Sequence, residues 1–284
     1  MNAIEPLEVD TLVDQALAED LAHGDLTTRT LFPEPVPARA RIIAHAEVVT
    51  AGLWLVERVF RRLDDRVTVD RITGEGQRVG AGTALAELRG DGRALLSGER
   101  TALNFLQRLC GIATLTARYI QAVQGFRVTV LDTRKTTPGW RMLEKYAVRM
   151  GGGSNHRLDL GQAMLIKDNH LALLDRAPPR SAQIRAALAQ RPPLKPVEIE
   201  AKTLDEVDEA IAAGAHTVLL DNMPAALLRA AVERVHGRAR TEASGGVTLE
   251  SIREIAATGV DLISIGALTH SAPAVDLSMD IEPA

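Results

Sequence analysis

The feature that most constrains this chain is a rhythm in its second half. From residue 128 onward, short apolar runs alternate with stretches of helical spacing. The runs are Val128–Leu131, Ala163–Ile166, Val197–Ile199, Thr217–Leu220, Arg240–Ala243 and Leu262–Ile265. Between several of them, Ser181–Gln190, Leu204–Ala213, Ala225–Val235 and Leu249–Thr258 space their apolar residues three and four apart, as one face of a helix requires. Strands joined through helices pair in parallel, because the helix returns the chain to the same end of the sheet. The pattern predicts a parallel sheet, open or closed as a barrel.

The residues after each run carry the chemistry. Asp132, Thr133, Arg134 and Lys135 follow the first run, and Lys167, Asp168 and Asn169 the second. Glu200 follows the third, Asp221 and Asn222 the fourth, Ser244, Gly245 and Gly246 the fifth, and Gly266 the sixth. In a parallel barrel all these positions lie at the carboxyl ends of the strands, around one mouth, where active sites collect. An antiparallel sheet would scatter them to both ends.

Two kinds of group meet at such a mouth. Arg134, Lys135 and Lys167 are cations, joined by His156 and Arg157 from the glycine-rich stretch Gly151–Arg157. Guanidinium forks suit carboxylates and phosphates. Glu200 and Asp221 offer hard oxygen ligands, which suit magnesium carrying a substrate phosphate. Glu198 lies on the same strand face as Glu200, and the two could equally anchor structural salt bridges. Ser244, Gly245, Gly246 and Gly266 fit a phosphate cradle, with backbone N–H groups and the helices after them directed at the anion. His156, Asp168 and His170 could ligate a metal, but no short His-x-His or His-Glu-x-x-His spacing supports zinc.

The first half reads differently. Val9–Asp20 and Leu53–Leu63 have helical spacing, Phe32–Pro37 is a proline-rich connector, and Arg39–Thr50, Arg66–Ile72 and Thr83–Arg89 read as strands. Leu95–Gln124 is a long helical region that Gly111 is expected to divide.

Bulk properties exclude several classes. A net charge of -4 gives no global field for nucleic acid or an anionic membrane. No stretch approaches the roughly 18 consecutive apolar residues of a membrane span. Met1–Asp20 is acidic and has no apolar core, unlike a signal peptide. The lone Cys110 cannot form an internal disulfide and reads as an inert buried thiol. Together these point to the cytoplasm. No P-loop is present. The glycine-punctuated Gly76–Arg89 is similar to carrier-domain hairpins, but Val36–Arg100 contains no lysine for a prosthetic group.

Longer motifs narrow the function. Thr133–Arg141 (TRKTTPGWR), Glu144–Val148 (EKYAV) and Gly151–Arg157 (GGGSNHR) are joined by Gly24–Thr28, Glu99–Asn104, Leu165–His170, Leu219–Asn222 and Glu242–Val247. Along the whole chain these resemble the quinolinate phosphoribosyltransferase family. The resemblance implies a type II phosphoribosyltransferase-like α/β fold. An N-terminal α/β sandwich would span residues 1–112, with 268–284 returning to it, and an incomplete α/β barrel would span 113–267. It implies transfer of phosphoribosyl from phosphoribosyl pyrophosphate to quinolinate with loss of carbon dioxide, as a step of NAD biosynthesis. Arg134, Lys135, His156, Arg157 and Lys167 would line the quinolinate pocket, and Arg100 would reach it from a neighbouring chain of a homodimer or dimer-based hexamer. Glu200 and Asp221 would face the ribose and the magnesium pyrophosphate, with Lys135 the third catalytic residue. Ser244, Gly245 and Gly266 would hold the 5′-phosphate. Gln162 departs from the acidic residue expected there. The alternative is a paralogue acting on another aromatic acid; the density of cations argues for a dicarboxylate.

Overall fold

The computed structural model describes residues 6–174, 179–190 and 196–284. The first five residues of the acidic N-terminal stretch lie outside them. Packing divides the chain into two units. One comprises Met1–Ala117, Thr136–Gly152 and Leu268–Ala284; the other comprises Arg118–Lys135 and Gly153–Ala267.

The first unit is built on antiparallel strands: β1 (Pro37–Ala44), β2 (Val48–Val49), β3 (Thr68–Arg71), β4 (Arg78–Val79) and β5 (Ala84–Asp91). The last strand of the chain, Leu277–Pro283, pairs with β1, and the sheet runs on through β5 to β3. Strands β2 and β4 form a separate pair. Ala38, Ala40, Ile42 and Ala44 are buried while Pro37, Arg39 and Arg41 are exposed, the period of two expected of a sheet with one wet face. Helix Leu53–Leu63 buries Leu53, Leu55, Val56, Val59 and Phe60.

Two features of this unit differ from the sequence expectation. The long helix runs unbroken from Gly92 to Ala122. Gly111 does not divide it; a Cβ at Gly111 would strike the Pro273 carbonyl, so the glycine serves close approach of the C-terminal segment. Helix Arg141–Met150 is absent from the sequence reading. Buried Glu144 holds its segment in the first unit by accepting from the Arg108 guanidinium at 2.8 Å and from the Thr137 backbone and hydroxyl at 3.1 and 2.9 Å. Cys110 is buried, and burial pushes its thiol up to about 12, which keeps it inert.

Among its described residues the second unit holds six parallel strands: β6 (Thr129–Leu131), β7 (Met164–Ile166), β8 (Val197–Ala201), β9 (Thr217–Asp221), β10 (Arg240–Ser244) and β11 (Leu262–Ser264). Their order is β6-β11-β10-β9-β8-β7. Helices Arg180–Ala189, Leu204–Ala212 and Ala225–Val235 follow the expected pattern; the one after β10 contracts to Ile252–Ala256. Thr203 and Glu206 cap the second of these reciprocally.

Ser154 bridges to the outer edge of β6. From that edge His156 reaches Glu198 on β8, at 3.0 Å, although β6, β11, β10 and β9 lie between them in the sheet. The Arg157 guanidinium bonds the Ala163 carbonyl, next to the start of β7, at 2.9 Å. Only a sheet curled nearly closed brings these groups together, so the parallel unit is an incomplete barrel with residues 154–157 spanning its gap. Among the described residues no helix is long and apolar enough to cross a membrane.

Candidate active site

The parallel register carries Arg134, Lys135, Lys167, Glu200, Asp221, Ser244 and Gly266 to one end of the strands, whereas His156 and Arg157 line a cavity walled by the strands' first residues. Ser244, the last residue of β10, is level with Asp221 at the end of β9 and with Ser264 on β11. Glu200 on β8 is level with Leu219, two residues below Asp221. Lys167 follows β7, Gly266 follows β11 by two residues, and Thr133, Arg134 and Lys135 follow Asp132 beyond β6. Arg100 is an exposed residue of helix Gly92–Ala122, in the other unit.

The carboxylates form a cluster. Burial raises the Glu200 pKa, and Asp168 and Asp221 raise it further against the opposing Lys167 and Lys202 charges. Lys202 Nζ sits 2.6 Å from Asp168 and 3.9 Å from Glu200. Its hydrogen bond is the main cause holding Asp168 below the usual carboxylate range. A small cavity of about 100 Å³ is lined by Asp168, Glu200, Lys202 and Arg180 among others. Glu200 and Asp221 are hard oxygen donors of the kind magnesium takes, while Asp168 is paired with Lys202.

The turn after β10 is built for close approach. Gly245 and Gly246 both have left-handed backbones, with φ of +98° and +61°, which glycine adopts without strain. Asn222 occupies the space where a side chain on Gly245 would lie. Its amide donates to Asp221 Oδ2 at 2.9 Å, and it too has a left-handed backbone. The expected helix dipole is not adjacent here, since the next helix begins only at Ile252. The cradle therefore rests on the two glycines. After Gly266, helix Ala267–His270 does begin at once.

The cations are arranged in a second group. Arg157 is half-buried, and burial, then the nearby Arg134 charge, lowers its pKa. The Nε–H of Arg134 is buried with no hydrogen-bond partner among the described residues. Two guanidiniums forced together, one with an orphaned donor, cost free energy until an anion joins them. The imidazole of His156 is engaged at both nitrogens. Nδ1 accepts from the Arg157 N–H at 2.8 Å, which fixes the proton on Nε2, facing Glu198 at 3.0 Å and Glu242 at 3.7 Å. His156 and Arg157 line a cavity of about 370 Å³. Its wall includes the first residue of every strand in the unit, Thr129, Met164, Val197, Thr217, Arg240 and Leu262. So Arg134, His156 and Arg157 gather with Glu198 and Glu242, while Lys167, Glu200 and Asp221 gather with Asp168 and Lys202.

His156, Glu198 and Glu242 also form the one metal-ligand grouping found among the described residues, not His156 with Asp168 and His170. The Glu242 carboxyl is pushed up to about 7 by burial and then by Glu198. The His170 ring instead accepts the Lys167 N–H at 2.9 Å. Gln162 accepts the Leu158 N–H, so it supports the loop after Arg157.

Sequence reasoning missed Lys202, Glu242 and Asn155 as members of the site. Glu242 shares a strand face with Ser244, two residues on, and Lys202 lies two residues past Glu200, so the period of two could have flagged both. Asn155 donates to Asp132 Oδ2 at 2.6 Å, a long-range bond with no local signal.

Comparison with known proteins follows the same lines. Residues 25–110 match the model of the quinolinate phosphoribosyl transferase N-terminal domain, and residues 112–280 that of its C-terminal domain. A probable nicotinate-nucleotide pyrophosphorylase [carboxylating] of Bacillus subtilis is 41% identical over 275 residues, covering 97% of this chain and 94% of the relative. Its counterpart in Synechocystis is 42% identical over 285 residues, covering 99% and 95%. Among solved structures, NadC from Streptococcus pyogenes superposes with a TM-score of 0.94 at 39% identity, covering all of both chains.

Proposed function

The chain belongs to the quinolinate phosphoribosyltransferase family, and from that premise we propose how its own residues carry out the family's reaction. It transfers the phosphoribosyl group of phosphoribosyl pyrophosphate to quinolinate, with loss of carbon dioxide. The products are nicotinate mononucleotide, for NAD synthesis, and pyrophosphate. The observation that carries the substrate assignment is the pair Arg134 and Arg157, two guanidiniums close together with a buried, unpartnered N–H. Quinolinate has two adjacent carboxylates, and a pair of forks answers them better than any single cation.

Arg134 and Arg157 bind the dicarboxylate, with Lys167 and Lys135 adding charge against repulsion from the phosphates. His156 holds the Arg157 backbone in place. The pyridine nitrogen then attacks the anomeric carbon, the bond from that carbon to pyrophosphate breaks, and positive charge on the ribose is stabilised by Glu200 and Asp221. Ser244, Gly245 and Gly266 hold the 5′-phosphate through backbone N–H groups. Glu200 and Asp221 would hold magnesium, directly or through water or pyrophosphate, and the ion would neutralise the leaving pyrophosphate.

Quaternising the nitrogen makes the ring an electron sink. The bond between the ring and the adjacent carboxylate breaks, carbon dioxide leaves, and the electron pair stays on the ring carbon until a proton arrives. Both nitrogens of His156 are engaged, so Lys135 or a water is the donor this site offers. The enzyme works in the cytoplasm as a dimer or an assembly of dimers, each site completed by Arg100 of the partner subunit. The testing experiment is an assay of purified protein with magnesium, phosphoribosyl pyrophosphate and quinolinate. Nicotinate mononucleotide and carbon dioxide should form in equal amounts; turnover with nicotinate or another acid but not quinolinate would discard the substrate.

A further inference from the structure

Asp132 is fully buried at the end of β6, two residues before Arg134. Its carboxylate takes the Asn155 amide at 2.6 Å on one oxygen and the His156 backbone N–H at 2.9 Å on the other. The backbones are joined as well: Ser154 N–H donates to the Val130 carbonyl at 2.9 Å, and Asp132 N–H to the Ser154 carbonyl at 3.1 Å. Beyond His156, the Arg157 N–H is fixed on the His156 ring and its guanidinium on the Ala163 carbonyl. Arg134 and Arg157 thus sit on two chain segments, and Asp132 fastens one to the other. From this we infer that Asp132 is a positioning residue that sets the spacing of Arg134 and Arg157 for the two carboxylates of the substrate.

The inference rests on the reading of the arginine pair as the quinolinate site. It adds the reason why a barrel needs a buried acid at this place. A pair of forks selects a dicarboxylate only if their separation is held to within about 0.5 Å. Segment 154–157 has a single bridge to β6, too little ladder to fix it. A carboxylate is an acceptor on both oxygens, so it can take the Asn155 and His156 donors together, where a neutral amide would offer only one acceptor.

Two substitutions test this through a swapped pair. Asn155→Asp sets two carboxylates face to face, so the segment should move away from β6 and KM for quinolinate should rise about tenfold or more. Adding Asp132→Asn to that variant restores one donor and one acceptor across the gap at the original net charge. KM for quinolinate should return to within about threefold of wild type. KM for phosphoribosyl pyrophosphate should stay within about twofold throughout. Equal losses for both substrates, no loss in Asn155→Asp, or a double variant no better than the single one would each overturn the inference. Should Asn155→Asp fail to fold, Asn155→Ala, which only deletes the donor, must show the same selective rise in KM for quinolinate. Wild-type enzyme that does not bind quinolinate would sink the underlying reading; wild-type binding with an indifferent Asn155→Asp would sink this inference alone.

Discussion

The side-chain amide of Asn222 occupies the space in which a Cβ on Gly245 would lie. The two residues immediately follow the neighbouring strands β9 and β10 of the parallel unit, and Asn222 ties the arrangement to Asp221 through a 2.9 Å hydrogen bond.

Gly245→Ala should therefore damage this end of the site twice over, by forcing a φ of +98° on alanine and by expelling Asn222 from Asp221. The strain is about 1–3 kcal/mol. KM for phosphoribosyl pyrophosphate should rise about tenfold while quinolinate binding is unchanged. Steady-state kinetics with each substrate varied in turn checks the split.

Arg134→Met should separate stability from function. It deletes a buried N–H without a partner and relieves the like charge on Arg157. The ligand-free protein should melt at the same temperature or higher, while KM for quinolinate rises about 100-fold. Arg134→Lys should not restore binding, because an ammonium lacks the fork. A clear fall in Tm would mean that Arg134 serves the fold.

Glu242 predicts a pH dependence. Its folded-state pKa is raised from the ordinary 4.5 to about 7, first by burial and then by Glu198. The folded state holds this proton more tightly than the unfolded chain does. That contribution is complete below about pH 4.5 and is lost as pH rises through about 7. Glu242→Gln cannot ionise, and its amide can still donate to Glu198. Its stability advantage over wild type should be least at pH 5 and greatest at pH 8, on the order of 2 kcal/mol. Urea unfolding at the two pH values measures it; an advantage independent of pH would place the titration elsewhere.

Arg100 can be tested by complementation. If it acts on the partner subunit, Arg100→Ala and Lys135→Ala, each nearly inactive, should regain about a quarter of wild-type activity when subunits exchange. Half the dimers are then mixed, and each has one intact site. If Arg100 acts within its own chain, mixing restores nothing.

Much of this molecule is legible in the chain. The period of two in Ala38–Ala44 and the helical spacing in Leu53–Leu63 and Ala225–Val235 follow from which side chains prefer to leave water. The alternation of runs and helices set strands β6 to β11 in parallel, and that alone carried Glu200, Asp221 and Ser244 to one end of the sheet. Such patterns are local, so the sequence alone determined them. The sequence could not say that Gly111 admits Pro273, or that Glu144 draws helix Arg141–Met150 into the first unit. Nor could it say that His156 meets Glu198 while Asp132 holds Asn155. These pairings arise when the sheet curls and residues far apart in the chain become neighbours. The raised pKa of Glu242 and the lowered pKa of Arg157 belong to the same class. Desolvation and neighbouring charge belong to a place in the folded molecule, and only the tertiary structure decided where each residue would sit.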